Sequence, residues 1–242
     1  MTKRLLNRPI DVAAAASMDA ARLIRSALAE RGTARVIAAT GSSQREFLSL
    51  LTATKDIDWH RVELFHLDEY IGLSPEHPAS MQRYIQLQIV NPTGITRTFL
   101  LDGTREDTWR RAAQALSAAP ADLAFSGIGE NGHLAFNEPP ADFTTEDPFV
   151  IVDLAAETRI QQVRERWFES LEDVPWQAIT MSIRQLLKTR AILCIATGRR
   201  KSSAVQRCFA SEIVPEAPAS ALRLHQAATL YLDSEAAELL PS

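Results

Sequence analysis

Amphipathic stretches alternate along the chain with short apolar runs that are rich in β-branched residues. This alternation is typical of βαβ units, in which buried parallel strands are joined by helices that cover the sheet. The pattern therefore predicts an α/β fold with a largely parallel sheet. No internal repeat and no Pro/Gly-rich linker divides the chain, so residues 1–242 are expected to form a single domain.

The apolar runs and the helical periodicity place the individual elements. Strands are predicted at residues 35–39, 62–67, 121–126, 149–152, 191–196 and 229–232. Helices are predicted at residues 18–31, 80–89, 108–119, 183–188 and 201–209. In such sheets ligands bind beyond the carboxyl ends of the strands, so the chemistry is expected in the loops that follow residues 39, 67, 126 and 196.

Composition and charge exclude several classes of protein. The 242 residues are 46% hydrophobic and 23% charged, which indicates a globular chain and excludes a disordered or fibrous one. Lys and Arg number 26 against 30 Asp and Glu, so the basic excess that nucleic-acid binding requires is lacking. No apolar run approaches the roughly 18 to 20 residues that span a bilayer, and no signal peptide is recognisable. We therefore expect a cytoplasmic protein with neither nucleic acid nor membrane as a partner.

The two cysteines, Cys194 and Cys208, favour the same compartment. A chain of this length can build its core without disulfides, so the thiols are expected to be free and their surroundings reducing. Buried thiols without a catalytic role are the simplest interpretation of both residues.

The loop after residue 126 concentrates glycine in a G-x-G-x-x-G spacing at residues 127–132. The same spacing marks dinucleotide-binding sites, but there a helix must begin at the last glycines, whereas this chain continues into tandem prolines. We interpret the segment instead as a loop that passes close to a ligand and holds Asn131, His133 and Glu138 at the sheet edge. A solvated turn is the alternative.

Two adjacent acids, Asp68 and Glu69, follow the second predicted strand. A carboxylate buried at the carboxyl end of a strand can serve as a general base. An ordinary loop acid and a helix N-cap are the alternatives. His66 and Asp68 could also form half of a metal site completed by His133 and Glu138, but the spacing matches no zinc or two-metal signature, so no metal is predicted.

Two further loops combine the features of a phosphate site. Residues 40–44, Thr-Gly-Ser-Ser-Gln, follow a strand and open a helix, so their N–H groups and hydroxyls can surround a phosphate. Arg199, Arg200 and Lys201 stand at the start of another helix, where cations cost stability unless an anion binds. A solvated basic turn is the alternative for this second loop. Neither loop has the Gly-Lys-Ser/Thr ending of a Walker motif, which favours a sugar phosphate over a nucleotide.

Three motifs follow one another along the chain. They are Leu67-Asp-Glu-Tyr-x-Gly-Leu73, His77-Pro-x-Ser80 and Gly127-x-Gly-x-Asn-Gly-His-x-x-Phe-Asn-Glu-Pro139. Together they resemble the glucosamine-6-phosphate deaminase family, and the similarity extends from about Val36 to Leu232. The sister 6-phosphogluconolactonases share the glycine-histidine core but lack the Phe-Asn-Glu-Pro that follows it, so the resemblance favours the deaminases.

The resemblance implies a doubly wound α/β sandwich of Rossmann-like type, with a mostly parallel sheet flanked by helices. It also implies aldose-ketose isomerisation of an amino sugar phosphate with loss of ammonia, without a cofactor. In that reaction Asp68 would move the proton between C2 and C1, with Glu69 as a supporting acid. His133 would open the pyranose ring, and Glu138 would orient it and stabilise its cationic form.

The resemblance also implies how the phosphate is held. The expected phosphate ligands are Gly41, Ser42, Ser43 and Lys201. A polar helical segment at about residues 152–179 would form a lid whose closure excludes water. Arg164 is the expected lid cation, and Arg159 and Arg166 are alternatives in the same stretch.

Two departures from the family pattern affect the expected activity and specificity. Asn131 stands where many members have an acid, so it can hydrogen-bond the imidazole but supplies no negative charge. Residues 41–44 read Gly-Ser-Ser-Gln instead of Gly-Gly-Thr-Pro, which trades backbone freedom for a hydroxyl near the phosphate.

The expected substrate is glucosamine 6-phosphate, which would be converted with water into fructose 6-phosphate and ammonia. Galactosamine 6-phosphate, which differs only at C4, is an alternative substrate. A 6-phosphogluconolactonase and a sugar-phosphate sensor without turnover are alternative functions. The chain lacks the C-terminal extension of the larger hexameric members, so a monomer or small homo-oligomer is expected.

Overall fold

The computed structural model describes residues 1–241, and a seven-stranded sheet lies at its centre. Every neighbouring pair of strands in this sheet is parallel. In spatial order the strands are β1 (Thr2–Leu6), β10 (Ala228–Asp233), β9 (Ala191–Ala196), β6 (Leu123–Ser126), β2 (Ala34–Ala38), β3 (Val62–His66) and β5 (Arg97–Phe99). From β2 the chain therefore builds the sheet outward in both directions.

Helices connect the strands. They are α1 (Pro9–Arg31), α2 (Arg45–Thr52), α3 (Met81–Ile85), α4 (Asn91–Thr93), α5 (Glu106–Ala118), α6 (Ala156–Arg164), α7 (Ile183–Leu187) and α8 (Ser202–Ala210). A π-helical stretch, Gln86–Val90, joins α3 to α4. As expected for a glycine C-cap, α1 ends at Gly32, which has φ 78° and donates its N–H to the carbonyl of Leu28 (3.1 Å). Among residues 1–241 no helix is both long and apolar enough to cross a bilayer.

Helices cover both faces of the parallel sheet, because its strands are apolar on both sides. Ile37 of β2 packs in a core with residues of α5, α7 and α8, whereas its neighbour Val36 packs in a second core with residues of α1, α2 and α3. Successive strand residues point to opposite faces, so this division produces a three-layer, doubly wound arrangement. The prediction of an α/β fold with a mostly parallel sheet flanked by helices is confirmed.

A second, three-stranded antiparallel sheet stands beside the first. Its order is β4 (Asp68–Tyr70), β8 (Gln177–Met181) and β7 (Phe149–Asp153). The strand predicted at 149–152 therefore lies outside the parallel sheet, and the helical prediction for 152–179 holds only for α6. β8 was not predicted; its Ile179 and Met181 are buried in one core of the parallel sheet, and its Ala178 is buried in a smaller cluster with Tyr70 and Phe136.

Candidate active site

One cavity lies beyond the carboxyl ends of β2, β3, β6 and β9, at the four loops expected to carry the chemistry. The predicted site residues that line it are Gly41, Ser42, Ser43, Asp68, His133 and Lys201. The buried Gln44 side chain links two of the loops, because its Nε2 donates to the carbonyl of Ser126 (3.1 Å). Segments far apart in sequence thus form a single pocket.

The loops after β2 and β9 form one end of this cavity. Gly41 has φ 110°, a conformation that favours glycine, and it leads into a 3₁₀ turn at Ser42–Gln44 directly before α2. Lys201 precedes α8 and takes part in none of the ion pairs found among residues 1–241. Burial lowers the pKa of its ammonium group, so an anion bound beside it would restore favourable electrostatics.

Asp68 begins β4, and its carboxylate faces the cavity without a partner. The residue is 6% exposed, and no hydrogen bond or ion pair within residues 1–241 involves its side-chain oxygens. Burial, and secondarily the charge of Glu69, raise the pKa of the Asp68 carboxyl to about 7. A carboxyl group balanced near neutrality can both take up and release a proton, which general base catalysis requires.

Glu69 points away from this cavity and fastens the start of α3. Its carboxylate accepts hydrogen bonds from the backbone N–H groups of Tyr70 (2.8 Å), Met81 (3.1 Å) and Gln82 (2.7 Å) and from the hydroxyl of Ser80 (2.8 Å). Burial raises the pKa of Glu69, and these four donors oppose the rise. Glu69 is therefore neither a loop acid nor a helix N-cap: it lies in β4 and binds the start of α3, whose N-cap is Ser80.

His133 lies in a buried hydrogen-bonded group with Asn131, Glu138 and Thr158. Its Nδ1 lies 3.0 Å from Thr158 Oγ1 and 3.6 Å from Glu138 Oε2. Asn131 donates from Nδ2 to Glu138 Oε2 (2.7 Å), and its Oδ1 accepts the backbone N–H of His133 (3.1 Å). The expected contact between Asn131 and the imidazole is therefore replaced by contacts to the backbone and to Glu138. Burial alone would raise the pKa of Glu138, but its neighbours hold that pKa below the ordinary value.

Gly129 provides the space for the imidazole. A Cβ at this position would lie only 2.2 to 2.4 Å from three ring atoms of His133. The backbone of Gly129 also closes the loop, because its N–H donates to the carbonyl of His133 (3.0 Å). The second glycine of the G-x-G-x-x-G spacing thus serves close packing of a side chain against the loop.

Helix α6 covers the cavity with polar side chains that the sequence analysis did not single out. Thr158, Gln161 and Gln162 are 1%, 7% and 6% exposed, and Glu165 continues the same row at the end of the helix. Gln161 is engaged by the N–H of Glu130 and by Glu165, whereas the carboxamide of Gln162 lines the cavity without a hydrogen bond to any of residues 1–241. Because these inward-facing side chains are polar in an otherwise polar helix, they form no apolar stripe, and no local sequence signal could have revealed them.

None of the three candidate lid arginines lines this cavity. Arg164 forms an ion pair with Glu130 and borders a neighbouring cleft. Arg159 is buried, donates to the carbonyls of Leu171 and Val174, and lies 3.7 Å from the Trp176 ring centroid. Arg166 is exposed and has φ 64°. Within residues 1–241 no group of three or more His, Cys, Asp or Glu side chains is placed to hold a metal ion.

A family profile, a relative in sequence and a solved structure all relate this chain to the glucosamine-6-phosphate isomerases. The sequence profile described as Glucosamine-6-phosphate isomerases/6-phosphogluconolactonase matches residues 7–231. The glucosamine-6-phosphate deaminase of Streptococcus sanguinis (strain SK36) is 36% identical over 224 residues, which cover 91% of this chain and 93% of that protein. A solved monomeric glucosamine-6-phosphate deaminase of the NagB superfamily has a TM-score of 0.90 at 30% identity, covering 99% of this chain and all of that one.

More distant structures share the fold alone. A 6-phosphogluconolactonase from Shewanella baltica OS155 has a TM-score of 0.77 at 21% identity, covering 96% of this chain and 97% of that one. The similarity to the deaminases is thus closer in both sequence and structure than the similarity to this lactonase.

Proposed function

Since the chain belongs to the family of glucosamine-6-phosphate isomerases and 6-phosphogluconolactonases, we propose that it converts glucosamine 6-phosphate and water into fructose 6-phosphate and ammonia. The observation that carries this proposal is the placement of Asp68 and His133 in one cavity with Lys201 and the Ser42–Ser43 turn. An acid-base pair beside an anion site suits isomerisation of a sugar phosphate, because the bound phosphate fixes where C1 and C2 lie.

The phosphate binds between the two loops at the end of the cavity. Lys201 supplies the positive charge, and the hydroxyls of Ser42 and Ser43 supply hydrogen bonds, with Gly41 allowing the backbone to approach. Arg164 remains the proposed lid cation, which requires it to leave Glu130 when substrate binds. Closure of α6 and the turns after it would exclude water from the reacting carbons.

Ring opening is assigned to His133. Its Nε2 takes the proton from the C1 hydroxyl, and the same nitrogen returns a proton to the ring oxygen as the C1–O5 bond breaks. Asn131 and Glu138 hold the loop and compensate the transient positive charge of the imidazole. The product of this step is the open-chain aldehyde.

Asp68 carries the proton between the two carbons. Its carboxylate removes the C2 proton, and the electron pair of that bond forms the double bond between C2 and C1. The π pair of the C1 carbonyl moves to O1, which takes a proton from the C2 ammonium group to give the enolamine. The same group then protonates C1, which leaves an imine at C2; water adds to C2 and ammonia departs, giving the ketose. The pKa of about 7 suits both halves of the transfer, because neither protonation state is strongly disfavoured near neutrality.

Ammonia release tests the proposal directly. Glucosamine 6-phosphate and galactosamine 6-phosphate are supplied side by side, and ammonia and the 6-phosphoketose are measured. We expect equal amounts of ammonia and fructose 6-phosphate from the first substrate. Turnover of galactosamine 6-phosphate alone would support the proposed reaction but show that the substrate is galactosamine 6-phosphate. Saturable binding without turnover of either compound would contradict the proposal and indicate a sensor.

Asp68→Asn tests the base assignment. The amide keeps the shape of the side chain but cannot accept the C2 proton, so kcat should fall by about 100-fold or more while inorganic phosphate still binds. Asp56→Asn, which removes an exposed carboxylate paired with Arg25, is the matched control and should retain wild-type activity. Retention of more than about a tenth of the wild-type kcat in Asp68→Asn would show that another group is the base.

Gln162 is the candidate for recognising a sugar hydroxyl, because its carboxamide lines the cavity without a hydrogen bond to any described residue. Gln162→Leu should raise KM for glucosamine 6-phosphate by about 3- to 10-fold, the loss of one neutral hydrogen bond. The 3-deoxy and 4-deoxy substrates identify the hydroxyl, since the analogue that lacks it should be used equally by wild type and variant. An unchanged KM would exclude this contact.

We propose that the partner is a small-molecule sugar phosphate, bound without a cofactor, and that the protein acts in the cytoplasm. Both cysteines are free and buried, which suits a reducing compartment. A monomer or small homo-oligomer is proposed because the deaminase structure that matches 99% of this chain is monomeric.

A further inference from the structure

We infer that Thr158 is a positioning residue whose hydroxyl oxygen accepts a hydrogen bond from Nδ1–H of His133, which leaves Nε2 unprotonated and facing the substrate. The consequence for ring opening rests on the proposed function, whereas the position of the proton can be measured without it. Thr158 lies in α6, outside the motifs that carry the family resemblance, and it is 1% exposed.

The distances identify the direct partner of the imidazole. Thr158 Oγ1 lies 3.0 Å from His133 Nδ1, within normal hydrogen-bond length, whereas Glu138 Oε2 lies 3.6 Å from the same nitrogen and is too far for one. The carboxylate therefore acts on the ring through the hydroxyl and through its charge.

Asn131 makes no hydrogen bond to the imidazole ring. Its side-chain oxygen accepts the backbone N–H of His133 instead (3.1 Å). Its amide nitrogen is a donor, and it donates to Glu138 (2.7 Å) and to Thr158 Oγ1 (3.3 Å). The hydroxyl oxygen of Thr158 therefore lies between two nitrogen atoms, and its own proton must go to a third group or to the ring.

The carboxylate decides between these two directions. Glu138 Oε2 lies 3.6 Å from Nδ1, so its negative charge favours a proton on that nitrogen, and Glu138 Oε1 has no hydrogen-bond partner among the described residues. If the hydroxyl donates to Glu138, its oxygen accepts from Asn131 and from Nδ1–H, and every donor has an acceptor. If it donated to Nδ1 instead, the ring proton would sit on Nε2, where it would prevent that atom from taking the C1 hydroxyl proton.

The tautomer can be observed directly by nitrogen NMR. The protein labelled with ¹⁵N in its 5 histidines is recorded at alkaline pH, and His133→Gln assigns the resonances. In the wild type we expect Nδ1 of His133 to carry the proton and Nε2 to be unprotonated. In Thr158→Val the population of this tautomer should fall, and in Thr158→Ser it should remain.

The value of kcat should also depend on the presence of the hydroxyl at position 158. Thr158→Val should lower kcat by about 10- to 100-fold with little change in KM, because the base is disturbed and the substrate contacts are not. Thr158→Ser, which keeps the hydroxyl, should stay within about threefold of the wild type. The acyclic alcohol obtained by reducing glucosamine 6-phosphate needs no ring opening, and it should bind wild type and Thr158→Val equally.

Thr189→Val is the matched control, since Thr189 is also buried but its hydroxyl has no hydrogen-bond partner among the described residues. It should leave both kcat and the His133 resonances unchanged. An Nε2–H tautomer in the wild type, an unchanged tautomer in Thr158→Val, or equal loss of kcat in the Ser and Val variants would overturn the inference. Absence of deaminase activity in the wild type, with the expected tautomer present, would overturn only the proposed function.

Discussion

Asp68 combines a proposed catalytic role with a cost in stability. It is buried and unpaired, so its pKa rises from an ordinary value of 3.8 to about 7. The folded protein therefore holds a proton on this group that the unfolded chain releases between about pH 4 and pH 7. Over that interval, rising pH removes stability, and above pH 7 the full penalty of burying the charge is present.

Asp68→Asn should remove this penalty. We expect the variant to be more stable than the wild type above about pH 7, by at most about 4 kcal/mol, with the difference shrinking to nothing near pH 4. Urea unfolding at a series of pH values measures the difference. In the wild type, kcat/KM should rise as pH approaches 7 from below. A stability difference that does not depend on pH would show that Asp68 is not the titrating group.

Gly129 is a second residue whose identity is set by the site. Gly129→Ala should lower kcat by about 100-fold, because the added methyl group would overlap the imidazole of His133 and displace this proposed base. Gly127→Ala adds the same group in the same loop, but its nearest neighbour, Ser43 Oγ, would be 3.4 Å away, so its loss should be much smaller. Equal losses in the two variants, measured by ammonia release, would contradict a specific clash with His133.

At the scale of elements, the sequence predicted those strands that have a strong hydrophobic pattern. Continuous apolar runs identified β2, β3, β6, β9 and β10, because central parallel strands are buried on both faces. The edge strand β1 is almost entirely exposed, and β5 is short and only partly buried, so neither has such a pattern.

The same dependence on local sequence patterns explains which residues of the candidate site could be predicted. The loop residues were predictable from glycine, charge and order along the chain, since parallel strands bring their carboxyl ends to one edge. Thr158 and Gln162 were not, because α6 turns polar side chains inward, and a polar residue in a polar helix is normally assigned to solvent. The contact between Thr158 and His133 joins residues that lie 25 positions apart in the sequence, so it leaves no local sequence pattern.

Arg159 holds the turns that follow α6. A substitution at this position tests whether its role is structural or whether it binds the phosphate. Arg159→Lys should lower the free energy of unfolding by about 1 to 3 kcal/mol, because lysine cannot reach both carbonyls and stack on Trp176. The KM for glucosamine 6-phosphate should change little. Arg164→Gln provides the comparison: its ion pair is half exposed and contributes little to stability, so a rise in KM would identify it as the lid cation. A large rise in KM for Arg159→Lys instead would show that Arg159 moves to the phosphate.

At the scale of the whole molecule, the small sheet limits which segment can act as a lid. β8 pairs with β4, which begins at Asp68, so Thr180 lies directly opposite the proposed base. The hydroxyl of Thr180 also accepts the backbone N–H of Phe136 (3.0 Å), three residues after His133. A lid that included β8 would carry Asp68 with it, so we expect any lid movement to be confined to the segment between β7 and β8, which contains α6.

Hydrogen exchange with and without fructose 6-phosphate tests this division. Residues 156–175 should exchange more slowly when ligand is bound, because α6 lines the cavity and the turns after it rest on α6. Residues 177–181 should exchange slowly in both states, since their backbone is bonded on both edges. Inorganic phosphate alone should protect the loops around Ser42 and Lys201 more than α6, because it does not fill the sugar part of the cavity. Ligand-dependent protection throughout 152–181, β8 included, would mean that the small sheet moves as one body and that the proposed base moves with the lid.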